Sequence, residues 1–160
     1  MSAALTVPSP FGPLTVIEDD GTLVALDWHA GADNRPPTPL LTAAAEQLAA
    51  YFAGDRKDFD LPVAPCGSAH DRAVWRAMCA IPWGQTRTYG EVARDIGSSP
   101  RAVGGACGAN PLPIIVPCHR ILAAGGQLGG YSGAGGGATK RKLLALEGHP
   151  VQFSLLDARH

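Results

Sequence analysis

No apolar run in the 160 residues comes near the roughly 20 that a membrane-spanning helix requires. The opening MSAALTVPSPFG lacks a basic stretch followed by an apolar one, which argues against a secretory leader and for a cytoplasmic protein with no membrane contact. The four cysteines (Cys66, Cys79, Cys107, Cys118) form no C-x-x-C pair, and no His-x3–5-His spacing accompanies them. The sequence therefore offers no ligand set for zinc. A reducing compartment disfavours disulfides, so most of the four are expected to be ordinary buried thiols. Charge is not in excess either: 46% of residues are hydrophobic, 17% are charged and the net charge is −1. That is a globular composition, long enough for one domain or for two small units sharing a core.

What charge there is lies unevenly. Residues 1–64 hold nine acids and three bases, net −6, whereas residues 65–148 hold nine bases and four acids, net +5. A basic second half fits a polyanion partner, and equally a generic solvated face. The pattern changes at the same place. LTVPSPFGPLTVIEDDGTLVALDW (5–28) reads as strands joined by turns at Pro-Phe-Gly-Pro and Asp-Asp-Gly. A loop follows at 31–39. Then comes a helix over 40–53 with Leu41, Ala44, Ala45, Leu48 and Phe52 on one side, and with Gly54 past its end. The stretch 59-FDLPVAPCG-67 reads as an extended linker with two prolines. The chain thus divides into an N-terminal α/β subdomain (1–64), a C-terminal unit (65–150) and a tail (151–160).

The second unit opens with a helix near 68–80, Ser68 as its N-cap and Val74, Trp75 and Met78 on its buried side. After a loop at 81–87, Thr88-Tyr89-Gly90-Glu91 matches a capping box, so a helix is expected from there to residue 96, stopping at Gly97. Ser99-Pro100 starts the next one. Two short helices joined by about three residues make a helix-turn-helix candidate, or an ordinary αα corner. The second helix, 101-RAVGGACGA-109, carries three glycines, each costing up to about 1 kcal/mol against alanine. Such a helix needs space there, for tight packing or for the close approach of a large ligand. Beyond Arg101 it has none of the Arg, Asn or Gln side chains that read base edges in a major groove. Its small residues suit a minor groove, where sequence information is poor. A strand at Ile114-Ile115-Val116 is expected to lead to Cys118. Eight glycines fall between 125 and 138, and a last helix over 138–148 has Leu143, Leu144 and Leu146 inside.

The stretch 114-IIVPCHRIL-122 poses the chemical question. A thiol beside an imidazole suggests a nucleophile with its base, yet neighbours on a strand point to opposite faces. Cys118 and His119 cooperate only if the backbone bends, and Pro117 provides for a bend. Taken with SPFGPLTV, YFAGDRKDFDLP, VWRAMCAIPWGQTRTYGEVA, SPRAVGGACGANPLPIIVPCHRI, GGYSG and KLLALEG, nearly the whole chain resembles the O6-alkylguanine-DNA alkyltransferases, the methylated-DNA–protein-cysteine methyltransferases. VPCHR following RAVGGA-x3-NP is the specific part of that likeness.

The resemblance implies an α+β fold: a small ribonuclease-H-like subdomain of sheet and helix, then a mainly helical domain with a helix-turn-helix and the active-site cysteine. It implies no cofactor and no metal. The implied activity is DNA repair by direct reversal, with one alkyl (methyl) group passing from O6-alkylguanine in duplex DNA to Cys118 and no second turnover; O4-alkylthymine is a further candidate substrate. The base would first be flipped out from the minor groove. By the same likeness Arg101 takes the vacated place in the duplex, with Ala102, Gly104 and Gly105 against the groove. Tyr89 pushes on the adjacent phosphate and hydrogen-bonds the flipped base. His119 takes the thiol proton through a water, and Glu147 orients His119. Asn110 is a hinge between the DNA-binding helix and the active-site strand. The base pocket is drawn from Val116, Cys118, Tyr131, Ser132 and Gly133, with the Ser132 N–H facing the guanine oxygen and the Val116 and Cys118 carbonyls facing its amino group. Arg120 is expected to be structural, as an internal ion-pair or cap partner. The partner is double-stranded DNA with little sequence choice, bound by a monomer, with cooperative loading left open.

The chain also departs from the family. The run 135-GGG-137 makes the interval from Tyr131 to Glu147 two residues longer than usual, in one wall of the base pocket. GSAHD (67–71) stands where a Gly-Thr-x-Phe-Gln run is common, so that helix start packs differently. The cysteines of a zinc-bearing N-terminal module have no counterpart. Two rival readings use the same residues. A cysteine hydrolase on Cys118 and His119 wants a direct Cys–His contact that adjacency makes awkward. A non-catalytic damage sensor does not need Cys118, His119 and Glu147 together.

Overall fold

Alternating apolar residues and tight turns shape the first unit of the computed structural model, which describes residues 2–31, 35–131, 133 and 135–149. Strands β1 (Ser2–Val7), β2 (Leu14–Asp19) and β3 (Thr22–Asp27) form an antiparallel sheet in that order. The β2–β3 hairpin turns through Asp20 and Gly21, at φ +53° and +82°, as a two-residue turn of the primed type requires. One face buries Leu14, Val16, Leu23 and Leu26, and helix α1 (Pro39–Phe52) packs on β1 and β2. Thr38 caps α1 by accepting from Leu41 N–H, with Pro39 in the first turn. Its buried stripe is Leu41, Ala44, Leu48 and Tyr51, at i, i+3, i+7 and i+10. Ala45 and Phe52, expected on that face, flank it half-buried, and Tyr51 is the aromatic inside.

Residues 59–67 are more than a linker. Leu23 N–H donates to Pro62 O and Ala64 N–H donates to Leu23 O, both at 2.9 Å, so this segment runs beside β3. Leu26 N–H likewise donates to Pro111 O at 2.8 Å, joining the sheet to the segment before Cys118. One hydrophobic cluster runs through both units.

The second unit follows its capping signals. Helix α2 (Ala69–Cys79) starts with a Ser68–Asp71 capping box and buries Val74, Trp75 and Met78. Helix α3 (Tyr89–Ile96) starts with the Thr88–Glu91 box and ends at Gly97, left-handed at φ +69°. Two residues later Ser99 caps α4 (Pro100–Gly108). Trp75 Nε1 donates to Ala106 O at 2.9 Å, locking α2 onto α4 behind the helix-turn-helix. The departure at 67–71 has a visible consequence: His70 Nε2 meets Ser98 Oγ at 2.7 Å in the turn of that motif.

Two expectations fail here. Ile114-Ile115-Val116 is not a strand. Pro111, Pro113 and Pro117 remove the donors a ladder needs, and the segment folds on itself, Val116 N–H donating to Leu112 O at 2.8 Å. Ile114 stands at φ +74°, unusual for a β-branched residue. The second concerns the thiols: Cys107 and Cys118 are buried, but Cys66 and Cys79 are exposed. Beyond Cys118 a short parallel pair, β4 (Arg87–Thr88) with β5 (Ile121–Leu122), ties the entrance of α3 to the active-site segment. Helix α5 (Gly137–Leu146) closes the unit, burying Leu143 and Leu144 with Leu146 half-buried. Among the described residues no helix is long and apolar enough to cross a membrane.

Candidate active site

The bend that Cys118 and His119 need is local. Pro117 sits at φ −82°, ψ 68°, and Cys118 N–H donates to Val116 O at 2.8 Å, which makes an inverse γ-turn. Residues Cys118–Arg120 then form one 3₁₀ turn, so adjacent side chains no longer alternate as on a strand. Asn110 ties this segment to the end of α4: its Nδ2 donates to Val116 O at 2.9 Å and its Oδ1 accepts from Leu112 N–H at 3.0 Å. The Val116 carbonyl thus accepts from two N–H groups, which uses both its lone pairs. The Cys118 carbonyl accepts from the Ile121 N–H.

The two residues that follow the thiol in the chain belong to a buried polar cluster. His119 and Glu147 are both at 0% exposure, and His119 Nε2 meets Glu147 Oε2 at 2.7 Å. Arg120, as expected, is an internal ion-pair partner: Nε donates to Glu147 Oε1 at 2.8 Å, Nη2 to Oε2 at 3.0 Å and Nη1 to Ile81 O at 2.7 Å. Burial would raise Glu147, but the hydrogen bonds from His119 and then Arg120 outweigh it and hold its carboxyl down at about 2. Burial pushes His119 below its ordinary value, against the pull of Glu147. The imidazole is therefore neutral at neutral pH, with Nε2–H donating to Glu147. Its Nδ1, buried and without a hydrogen-bond partner among the described residues, is left as the basic atom.

In front of the thiol is a cavity of about 670 Å³ lined by Cys118, Cys107, Tyr89, Pro100, Arg101, Gly104, Gly108, Gly130 and Tyr131. Cys118 is raised chiefly by burial, with the Asn110 side chain and Lys140 opposing. The resting group is a thiol, so a base is required. Burial lifts Tyr89 to about 12, which makes it a neutral donor. Arg101 and Ala102 are exposed at the start of α4. A Cβ at Gly104, Gly105 or Gly108 would meet nothing within 4 Å. Internal packing therefore does not explain the α4 glycines, and the close approach of an external ligand remains. Gly133 is different. A Cβ there would collide with Tyr131 and stand 2.7 Å from Trp28, whose ring meets Tyr131 edge-on at 6.2 Å.

The structure thus brings Cys118, Tyr89, Arg101, Gly104 and Tyr131 to one cavity; His119, Glu147 and Asn110 do not line it, the first two being paired in the buried cluster and Asn110 bonded to the segment before Cys118. Val116 is buried outside the lining, Gly133 leaves room for Tyr131 and Trp28, and Ala102 and Gly105 lie on the outer face of α4. Ser132 lies outside the described residues. Sequence reasoning missed four participants. Lys140, fully buried on α5, donates to Gly130 O at 3.0 Å and stands 5.7 Å from the Tyr89 ring centroid, with burial pulling its pKa down to about 8. Cys107 shares the cavity, and Trp28 braces Tyr131. Tyr51 donates to Glu147 Oε2 at 2.5 Å. The spacing Leu41, Ala44, Leu48, Tyr51 was the signal for the last, and the step from Lys140 to Leu143 and Leu144 for the first.

The chain has known relatives along nearly its whole length. Residues 5–65 match the family model described as 6-O-methylguanine DNA methyltransferase, ribonuclease-like domain, and residues 69–149 match the DNA binding domain of the same family. The methylated-DNA–protein-cysteine methyltransferase of Mycolicibacterium paratuberculosis is 44% identical, covering 95% of this chain and 97% of that one. Its counterpart in Methanosarcina acetivorans is 43% identical, over 88% and 94%. The Mycobacterium tuberculosis O6-methylguanine methyltransferase structure superposes with a TM-score of 0.80 at 41% identity, over 98% of each chain. A structure of Mycobacterium tuberculosis OGT in complex with DNA gives 0.78 at 43% identity, over 91% of this chain and 93% of that one. Likeness of this extent, in sequence and in fold together, means that the chain belongs to the 6-O-methylguanine DNA methyltransferase family.

Proposed function

We propose that this protein repairs DNA by moving the alkyl group of an O6-alkylguanine onto its own Cys118, once per molecule. The observation that carries this reading is the cavity: the exposed glycine face of α4 forms its rim, and Cys118 stands in its wall, next in the chain to a buried imidazole that is paired with a buried carboxylate. A base stacked in a duplex cannot reach a thiol in such a wall. The nucleotide is rotated out of the stack, at a lower cost for a weakened pair than for a sound one. The α4 face has no bulk to keep it from a minor groove, and Arg101 at its start fills the place the base leaves. O4-alkylthymine is a second substrate of the same geometry.

The chemistry is a displacement at the alkyl carbon. His119 Nδ1 takes the thiol proton, directly or through one water, and Glu147 steadies the imidazolium at Nε2. A C–S bond forms as the C–O bond breaks, and the electron pair passes to the guanine oxygen. The Tyr89 hydroxyl donates to a ring nitrogen, and the Ser132 N–H is the donor to the oxygen. Because the Val116 carbonyl accepts from two N–H groups already, the Cys118 carbonyl is the better acceptor for the base's amino group. The thioether product has more bulk and no proton in a tightly packed segment, and nothing in the site reverses it.

Intact mass with peptide mapping, after mixing with a duplex containing O6-methylguanine, tests this. One methyl on Cys118 with guanine restored, in one-to-one stoichiometry, is expected. Tight DNA binding with no mass change would replace the transferase with a damage sensor. Turnover on a thioester would favour a hydrolase.

A further inference from the structure

Glu147 is where three distant segments meet. Oε2 accepts from His119 Nε2, from Arg120 Nη2 and from the Tyr51 hydroxyl, and Oε1 accepts from Arg120 Nε. Tyr51 belongs to α1 of the N-terminal unit, 96 residues before Glu147. It is 1% exposed, with Phe52 and Phe59 at centroid distances of 5.4 and 5.2 Å. Packing among those rings asks only for a phenyl group. The hydroxyl is what tyrosine adds, and it points at the carboxylate that holds the imidazole.

The chemistry of that contact is directional. A buried O–H donating to a carboxylate makes a strong, short hydrogen bond. It fixes the carboxylate rotamer, and it also draws electron density from the oxygen that faces His119. A carboxylate shared between a phenol and an imidazole is a weaker base toward the imidazole than one serving the imidazole alone. Among the described residues, the other charged or titratable groups facing this cluster include Arg120 beside Glu147, Lys140 toward His119, Tyr131 toward Tyr51 and Cys79 toward Arg120.

We propose that Tyr51 is a positioning residue for alkyl transfer: its hydroxyl orients Glu147 so that His119 keeps the Nε2–H tautomer and a free Nδ1, and it tempers the basicity of that pair. The N-terminal unit then takes part in the chemistry rather than only supporting the fold. This rests on the reading in which His119 deprotonates Cys118.

The test is single-turnover methyl transfer from an O6-methylguanine duplex by the full-length protein, followed from about pH 5 to about 8, the range in which histidine titrates. Tyr51→Phe keeps the ring and removes the donor. The expected result is a rate about 10-fold lower, as loss of one hydrogen bond to a charged group gives, with duplex affinity unchanged. The acid limb of the profile moves to higher pH, because an unshared Glu147 lets His119 keep its proton longer. A second variant with 3-fluorotyrosine at position 51, a stronger donor, moves the limb the other way and serves if Tyr51→Phe folds poorly. An unchanged rate and limb in folded Tyr51→Phe overturns the proposal. So does a slower rate with an unmoved limb, since that is a packing effect. Absence of transfer by the unsubstituted protein would strike the underlying reading instead, and the two failures are distinguishable.

Discussion

At the scale of single residues, the segment around Asn110 shows how much one side chain holds. Ile114 keeps a left-handed backbone, a conformation that costs of order 1–3 kcal/mol and persists only when its surroundings enforce it. Asn110 is part of that enforcement, pairing the Leu112 N–H and the Val116 carbonyl on either side of Ile114. Asn110→Ala leaves the buried Leu112 N–H without its partner, so a loss of about 1–3 kcal/mol is expected from the denaturation midpoint. A midpoint unchanged from the parent would mean the segment keeps its shape by itself. Cys107 makes the opposite point about reactivity. It shares the cavity with Cys118, yet burial pushes it up to about 12 against the pull of Lys140, and among the described residues no imidazole is hydrogen-bonded to it. In Cys118→Ser, peptide mapping after exposure to O6-methylguanine duplex is expected to find Cys107 unmodified while DNA affinity persists. A methyl on Cys107 would show that the cavity activates any thiol it contains. Neither Ile114 nor Cys107 was legible in the sequence, because positive φ and a shared cavity arise from the turn of the chain and leave no mark in local composition.

Secondary-structure elements were legible wherever a cap or a period announced them. The Thr88–Glu91 and Ser68–Asp71 boxes, Pro100 and Gly97 are local chemistry, so helices α2 to α4 stand within a residue or two of expectation. The short β4–β5 pair and the Ile114 segment were not, since the first is a tertiary contact and the second has its β-branched pattern overridden by three prolines. The glycines of α4 raise an element-level question that the structure narrows. With open space beside Gly104 and Gly105, alanine at either position is expected to stabilise the helix by about 0.5–1 kcal/mol. The same methyl obstructs the groove, so weaker duplex binding should accompany a higher melting temperature. Stabilisation without any loss of binding would remove this face from the DNA interface. Across the cavity, Trp28 reaches from beyond β3 to brace Tyr131. Trp28→Ala frees that wall, and transfer rates for benzyl relative to methyl adducts are expected to rise. An unchanged ratio would mean that Tyr131 is held by its own loop.

For the molecule as a whole, the polar cluster acts as a rivet between units that differ in sequence character. The acidic first half and the basic second half were visible in composition, but their junction was not, because Tyr51, His119, Arg120 and Glu147 come from three separate stretches. The junction makes stability depend on pH in a definite sense. His119 has a folded value below its ordinary 6.5, so the unfolded chain binds more protons there, and stability falls as pH drops below about 6.5. Glu147 is depressed from 4.5 to about 2, so its contribution is complete above 4.5 and is lost as pH falls from there toward 2. That second contribution is on the order of 3 kcal/mol, and both run in the same direction. Calorimetry is expected to show one transition, because Tyr51 and Glu147 join the two units through one core, with its midpoint dropping in two stages as the solution is acidified. Glu147→Gln should melt lower at neutral pH yet lose the acid-side stage below 4.5, since no carboxylate remains to be protonated. Two separate transitions in the parent protein, or a variant as acid-sensitive as the parent, would place the junction's strength elsewhere in the core.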